Sequence, residues 1–270
     1  MIEDKKYALL DTDFLYKSYL AQDDAQNTLA DIVISFQEYE FFCHSMIIEE
    51  LSKHDITPNP IPWLNGLIQA GRVHLYSDRD ILRELKQVYG SGASSMYLTM
   101  LEISCNTFSH TFFSQYYSAL KALPNDVSDA EFLRELENCD ATIPHQNGVG
   151  EKKTYVLIQM MDVLHSGKVF LFCSDDFKAR QSLNTISGSI SCLSILGVFQ
   201  LLKDKAFEKE KIKPFFIALC DFLNLQNQTT FRVWKRESRM QIPMLQVFDD
   251  IYGEKFILCN FRKNGMVIPE

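Results

Sequence analysis

Val169-Phe-Leu-Phe-Cys173, followed at once by Ser174-Asp175-Asp176, decides how the chain is read. Five apolar residues in unbroken succession suit a strand buried on both faces, the situation of a strand inside a parallel sheet that helices cover. A half-buried strand would alternate instead. Upstream, Gly148-Val-Gly150-Glu151 opens a helix whose Val156, Leu157, Met160, Met161 and Leu164 form an apolar stripe ending before Gly167, and another helix is expected from Phe177. The same order appears at the N-terminus. Tyr7-Ala-Leu-Leu10 ends in Asp11-Thr12-Asp13 and leads into a helix with Phe14, Leu15, Tyr19 and Leu20 on one side, and Arg72–Tyr76 repeats the strand signal after a helix over Trp63–Ala70.

Strands alternating with helices predict an α/β fold, a three-layer sandwich around a mainly parallel central sheet. Residues 1–76 and 146–223 are expected to form this domain. Residues 77–145 read as a helical insertion, in which Ser128-Asp-Ala-Glu131 fits a capping box, and 224–270 as a C-terminal extension packed on the same domain. Leu29–Glu40, Phe41–Lys53, Ile186–Leu202 and Ile212–Leu223 read as helices, and Thr229–Trp234 and Lys255–Asn260 as strands.

Composition narrows the function classes. The 270 residues are 46% hydrophobic and 23% charged, with 11 Gly and 8 Pro, which excludes collagen-like, mucin-like and disordered chains. A net charge of −8 argues against non-specific coating of nucleic acid, yet the sign reverses along the chain. Asp78–Asp140 holds 5 basic and 10 acidic residues, and Lys203–Arg239 holds 9 basic and 5 acidic. Seven scattered cysteines without a CxxC pair give no disulfide framework or zinc knuckle, and the six histidines show no zinc spacing. With no spanning or leader segment expected, the chain reads as cytoplasmic and without a membrane partner.

In open α/β sheets the site lies at the carboxyl ends of the strands, which selects Asp11/Asp13 and Asp175/Asp176. Grouped carboxylates repel unless a cation neutralises them, and hard oxygen donors suit Mg²⁺ or Mn²⁺. Each Asp could instead cap the helix that follows it. Glu50, between Glu49 and Leu51, and Glu151, in a first helical turn, are further acids at or near element boundaries.

In their order, Leu9-Leu-Asp11-Thr-Asp13-Phe-Leu15, Ile47-Ile-Glu49-Glu50-Leu51, Gly148-Val-Gly-Glu151 and Phe170-Leu-Phe-Cys-Ser174-Asp-Asp176-Phe-Lys-Ala-Arg180 resemble the PIN-domain nucleases. The resemblance implies a metal-dependent nuclease, a hydrolase of single-stranded RNA cutting as an endoribonuclease. Its catalytic acids would be Asp11, Glu50, Glu151 and Asp176, with Asp11, Glu151 and Asp176 as metal ligands. Asp13, Ser174 and Asp175 would be auxiliaries, the serine hydroxyl orienting a neighbouring carboxylate. Lys152, Lys153, Lys178 and Arg180 beside the acids are candidates to hold flanking phosphates. The insertion would be a surface for a protein partner or inhibitor, and a homo-oligomer is compatible with the sequence. Two other readings compete. A nuclease-like module without catalysis would only bind a partner, and a haloacid-dehalogenase-like phosphatase would use Asp11 as nucleophile and Asp13 as general acid, although Leu15 and the missing lysine depart from that pattern.

Overall fold

A computed structural model describes residues 5–53, 58–124, 127–144, 148–165, 169–186, 190–235, 238–253, 256–259 and 266–269. The chain begins with β1 (Lys6–Leu10), α1 (Thr12–Leu20), α2 (Leu29–Ile34), β2 (Tyr39–His44), α3 (Met46–Lys53), α4 (Ile61–Gln69) and β3 (Val73–Tyr76). Helices α5 (Asp78–Tyr89), α6 (Ala93–Phe108), α7 (Phe112–Tyr116), α8 (Asp129–Thr142) and α9 (Val149–Leu164) follow. Then come β4 (Val169–Cys173), α10 (Phe177–Ile186), β5 (Ser191–Leu193), α11 (Ile195–Asp204) and α12 (Lys209–Leu225). The chain closes with β6 (Thr230–Lys235), β7 (Ser238–Pro243), α13 (Met244–Tyr252), β8 (Phe256–Cys259) and β9 (Met266–Pro269).

The expected α/β architecture is present: a five-stranded parallel sheet in the order β3-β2-β1-β4-β5, with helices between its strands, fits a three-layer sandwich. Two strands differ from the sequence reading. Tyr39–His44 is β2 rather than part of two helices, and Ser191–Leu193 is β5 rather than helix. The physical reason is the same in both: a short apolar run has no period that separates strand from buried helix, and burial in the sheet decides. Phe41 to His44 are all buried and pair with Val73 to Tyr76 in parallel register. The C-terminal segment also holds β7 and α13, which the sequence reading did not separate.

By its internal contacts the chain forms two compact units, and their limits differ from the expected domain boundaries. The first comprises Met1–Tyr39, Ile56–Pro62 and Phe170–Glu270; the second comprises Glu40–Asp55 and Trp63–Val169. In the first, α11, α12 and α13 pack around Phe199, Phe216 and Phe248, with the Phe216 ring centroid 4.9 Å from that of Phe199 and 4.8 Å from that of Phe248. Thus α13 of the extension shares that unit's core. In the second, α9 packs on α5 and α6, and the aromatic run of α6 and α7 turns inward as core: Tyr117 and Phe113 are buried, and Phe108 meets Tyr155 edge-on at 4.9 Å. No described helix is long and apolar enough to cross a membrane.

Candidate functional site

Strands β1 and β4 end side by side, since the Asp11 N–H donates to the Cys173 carbonyl at 2.9 Å. Asp11 occupies the N-cap position of α1 with extended backbone angles, yet its carboxylate makes no capping bond. Instead the Ser174 hydroxyl donates to Asp11 Oδ2 at 2.7 Å, and Ser174 Oγ in turn accepts the Asp176 N–H at 3.2 Å. One fully buried hydroxyl therefore holds two aspartates in fixed relation. Ser174 is itself held in place: its N–H donates to Leu193 O at 3.0 Å, and Arg180 Nη1 donates to its carbonyl at 2.7 Å. Asp176 does cap the helix that follows, with Oδ1 accepting from the Lys178 and Ala179 N–H groups at 2.5 and 3.0 Å.

The other two aspartates are already compensated. Lys17, one turn along α1 from Asp13, places Nζ 2.9 Å from Asp13 Oδ2 and 2.5 Å from Asp175 Oδ2, and Asp175 Oδ1 also accepts the Ile195 N–H at 3.2 Å. Burial works against the charge on Lys17, but Asp175 and Asp13 more than offset it and raise its pKa. Burial would raise Asp175 as well, yet Lys17 and Arg180 leave it below the ordinary carboxylate value. Asp13 lies above that value, mainly through burial, because Lys17 does not fully offset burial and the neighbouring Asp175 charge. Lys17 thus stands where a cation between these two carboxylates would be needed, a residue that its lone position in an amphipathic helix did not reveal. Asp13 and Asp175 are both ion-paired to Lys17.

These side chains border a cleft of about 800 Å³ that lies wholly within the first unit. Its lining includes Asp175 to Lys178 and Arg180 together with Asn227 to Arg232 and Gln241. Lys178 is exposed there, whereas Arg180 is buried and committed to the Ser174 carbonyl.

Glu50 and Glu151 belong to the second unit. Adjacent residues on a helix point about 100° apart; Glu49 is exposed and Glu50 half-buried, its carboxylate against the first turn of α9. A Cβ at Gly150 would collide with Glu50 Oε1, so the glycine makes room for this acid. Gly148 precedes it with φ +72°, the left-handed turn from which α9 starts. Lys152 and Lys153 depart from their expected role as phosphate holders, because both are buried. Lys152 Nζ lies 4.3 Å from the Phe112 ring centroid and 4.8 Å from that of Phe108, and Lys153 is ion-paired to Asp78 and Asp140. A lysine locked in such contacts cannot reach a backbone phosphate.

Among the described residues no group of three or more His, Cys, Asp or Glu side chains is arranged as a metal cage. The Asp11/Asp176 pair still suits Mg²⁺, which is usually held by one or two carboxylates together with water and substrate phosphate rather than by an all-protein cage. No family model matches the chain, and no similar curated protein or solved structure is found.

Proposed function

We propose that the protein is a PIN-like, metal-dependent nuclease that hydrolyses single-stranded RNA in the cleft of its first unit. The observation that carries this reading is the diversion of Asp11 from capping its own helix to a buried serine that also holds Asp176. A carboxylate that gives up a local hydrogen bond, at the carboxyl end of a buried parallel strand, is placed for a ligand. Asp11 and Asp176 would hold Mg²⁺ or Mn²⁺, which when bound supplies Lewis-acid polarisation of a phosphodiester and a more acidic water. Ser174 orients the Asp11 carboxylate and holds the Asp176 backbone, and exposed Lys178 attracts phosphate. The test is cleavage of labelled single-stranded RNA and DNA by the full chain with Mg²⁺ or Mn²⁺ and with EDTA. Cutting that EDTA arrests supports the reading, and the absence of metal-dependent cutting on either polymer overturns it.

Two variants probe the supports. Ser174→Ala removes the hydroxyl shared by Asp11 and Asp176, and cleavage or metal affinity should fall about 10–100-fold, as for other partners that orient ligands. A metal titration of activity reads this directly; an unchanged titration would make the hydroxyl merely structural. Gly150→Ala forces the Glu50 carboxylate aside. That carboxylate is the end of a flexible side chain, and alanine favours a helix interior over glycine by about 1 kcal/mol. Thermal stability should therefore hold within about 1 kcal/mol while cleavage falls, if Glu50 serves the reaction as the resemblance implies. Undiminished cleavage would remove Glu50 from it.

A further inference from the structure

The C-terminal extension supplies half of the cleft, and the nuclease resemblance does not account for it. Asn227 ends α12 with φ +60°, a left-handed turn that asparagine tolerates, and the Gln228 N–H closes it on the Leu223 carbonyl at 3.0 Å. The chain then runs along the cleft through Thr229 and Thr230 into β6. Strands β6 and β7 pair antiparallel, with Phe231 opposite Ile242 and Arg232 opposite Gln241. Successive strand residues face opposite ways. Phe231 and Ile242 are buried, the former 5.9 Å ring-to-ring from Phe216, while Arg232 and Gln241 are exposed and line the cleft. The hairpin is thus anchored by one face and presents the other.

The charges on the cleft are sorted. Lys17 is taken by Asp13 and Asp175, and Arg180 by the Ser174 carbonyl. Among the described residues lining the cleft, the exposed cations are Lys178, beside Asp176, and Arg232, in β6, with the amides of Asn227 and Gln228 and the hydroxyl of Thr230 also in the lining. Along the sequence, Arg232 is followed by Lys235, Arg236 and Arg239, against one acid, Glu237. Two exposed cations from different elements lining one open cleft, one of them in a basic stretch of chain, match a run of phosphates rather than one small anion.

We infer that the β6–β7 hairpin is a substrate-holding wall, and that Arg232 and Lys178 grip the phosphate backbone of a single-stranded nucleic acid across the cleft. The inference deepens the nuclease reading and rests on it for the identity of the polymer. Its test uses the full chain carrying Asp176→Asn, so that binding is read without cleavage, with labelled single-stranded RNA and DNA oligonucleotides followed by fluorescence anisotropy over a salt series. Adding Arg232→Glu should weaken binding about ten-fold or more at low salt. It should also flatten the slope of log K against log salt by about 0.7 for each phosphate that is no longer neutralised. Lys178→Glu should do the same, and both residues are exposed, so circular dichroism should show an unchanged fold. The wall is overturned if Asp176→Asn does not bind either polymer, or if Arg232→Glu binds as tightly as its parent. The two readings separate cleanly. Arg232-dependent binding in a protein that never cuts keeps the wall and removes the nuclease; metal-dependent cutting with Arg232-independent binding does the reverse.

Discussion

Lys153→Ala should cost the protein about 3 kcal/mol of stability, the lower end of the roughly 3–5 kcal/mol seen when one partner of a buried ion pair is removed. Lys153 is fully buried in α9, with Nζ 2.9 Å from Asp78 Oδ2 and 3.1 Å from Asp140 Oδ2. Around it, the Tyr97 hydroxyl donates to Asp78, and the Tyr117 hydroxyl donates to Asp140 at 2.6 Å. His44 Nε2 stands 3.3 Å from Asp78 Oδ1, close enough for attraction but not aligned as a hydrogen bond. The lower end applies because the two carboxylates are only part-buried, at 21% and 13% side-chain exposure, so water softens the charge left behind.

The two aspartates respond to the same lysine in opposite directions. Burial raises both, but Lys153, His44 and Tyr97 carry Asp78 well below the ordinary carboxylate range. Asp140 stays above it, because Lys153 and Tyr117 do not offset burial and the adjacent Asp78 charge. A depressed carboxylate contributes stability above its unfolded pKa of about 3.9 and loses it as pH falls through the folded value; a raised one opposes folding at neutral pH and ceases to do so on protonation. Without Lys153 both carboxylates belong to the raised class. The stability gap between variant and wild type should therefore shrink as pH falls from about 7 towards about 4. Urea midpoints measured across that range decide it: a gap under about 1 kcal/mol at neutral pH, or one that widens in acid, would contradict a charge-compensating Lys153.

How far the sequence reveals the molecule follows from which signals are local. Val169–Cys173 and its acidic ending were legible because an unbroken apolar run and the residues just beyond it are neighbours along the chain. The sheet and the Asp11, Ser174 and Asp176 positions follow from that and from the matching β1. Two sheet strands were not legible: β5 has three residues, and β2 sits between two helices with no Gly or Pro to mark its ends. Partnerships across the chain were hidden altogether. Lys17 meets Asp175 across 158 residues, and this pairing gives two expected auxiliaries a counter-charge that their own sequence neighbourhood does not show. Lys152 and Lys153 read as phosphate holders because they follow Glu151 along the chain; only tertiary packing shows the rings and carboxylates that enclose them. The hairpin wall required knowing which face of β6 is anchored, and that is set by Phe216 on another element.

Asp11→Asn and Asp176→Asn should each lower metal-dependent cleavage about 10²–10⁴-fold, since a carboxylate–metal contact at the reacting centre is worth several kcal/mol and about 1.36 kcal/mol corresponds to a factor of ten in rate. The substitutions remove charge while keeping shape. Asparagine caps a helix about as well as aspartate, so Asp176→Asn retains an oxygen for the Lys178 and Ala179 N–H groups, and Asp11→Asn retains one that accepts from the Ser174 hydroxyl. Loss of activity without loss of fold is the consequence. Metal linkage supplies a second readout that needs no substrate: a ligand at about 100 times its dissociation constant stabilises the folded state by about 2.7 kcal/mol. Mn²⁺ should raise the melting temperature of the wild type and leave both variants nearly unmoved. If the variants cut at the wild-type rate, Asp11 and Asp176 are not the reacting pair. If neither metal nor substitution changes cleavage or melting, their junction on Ser174 serves only to fasten β1 to β4, and the cleft beside it is a binding groove without chemistry.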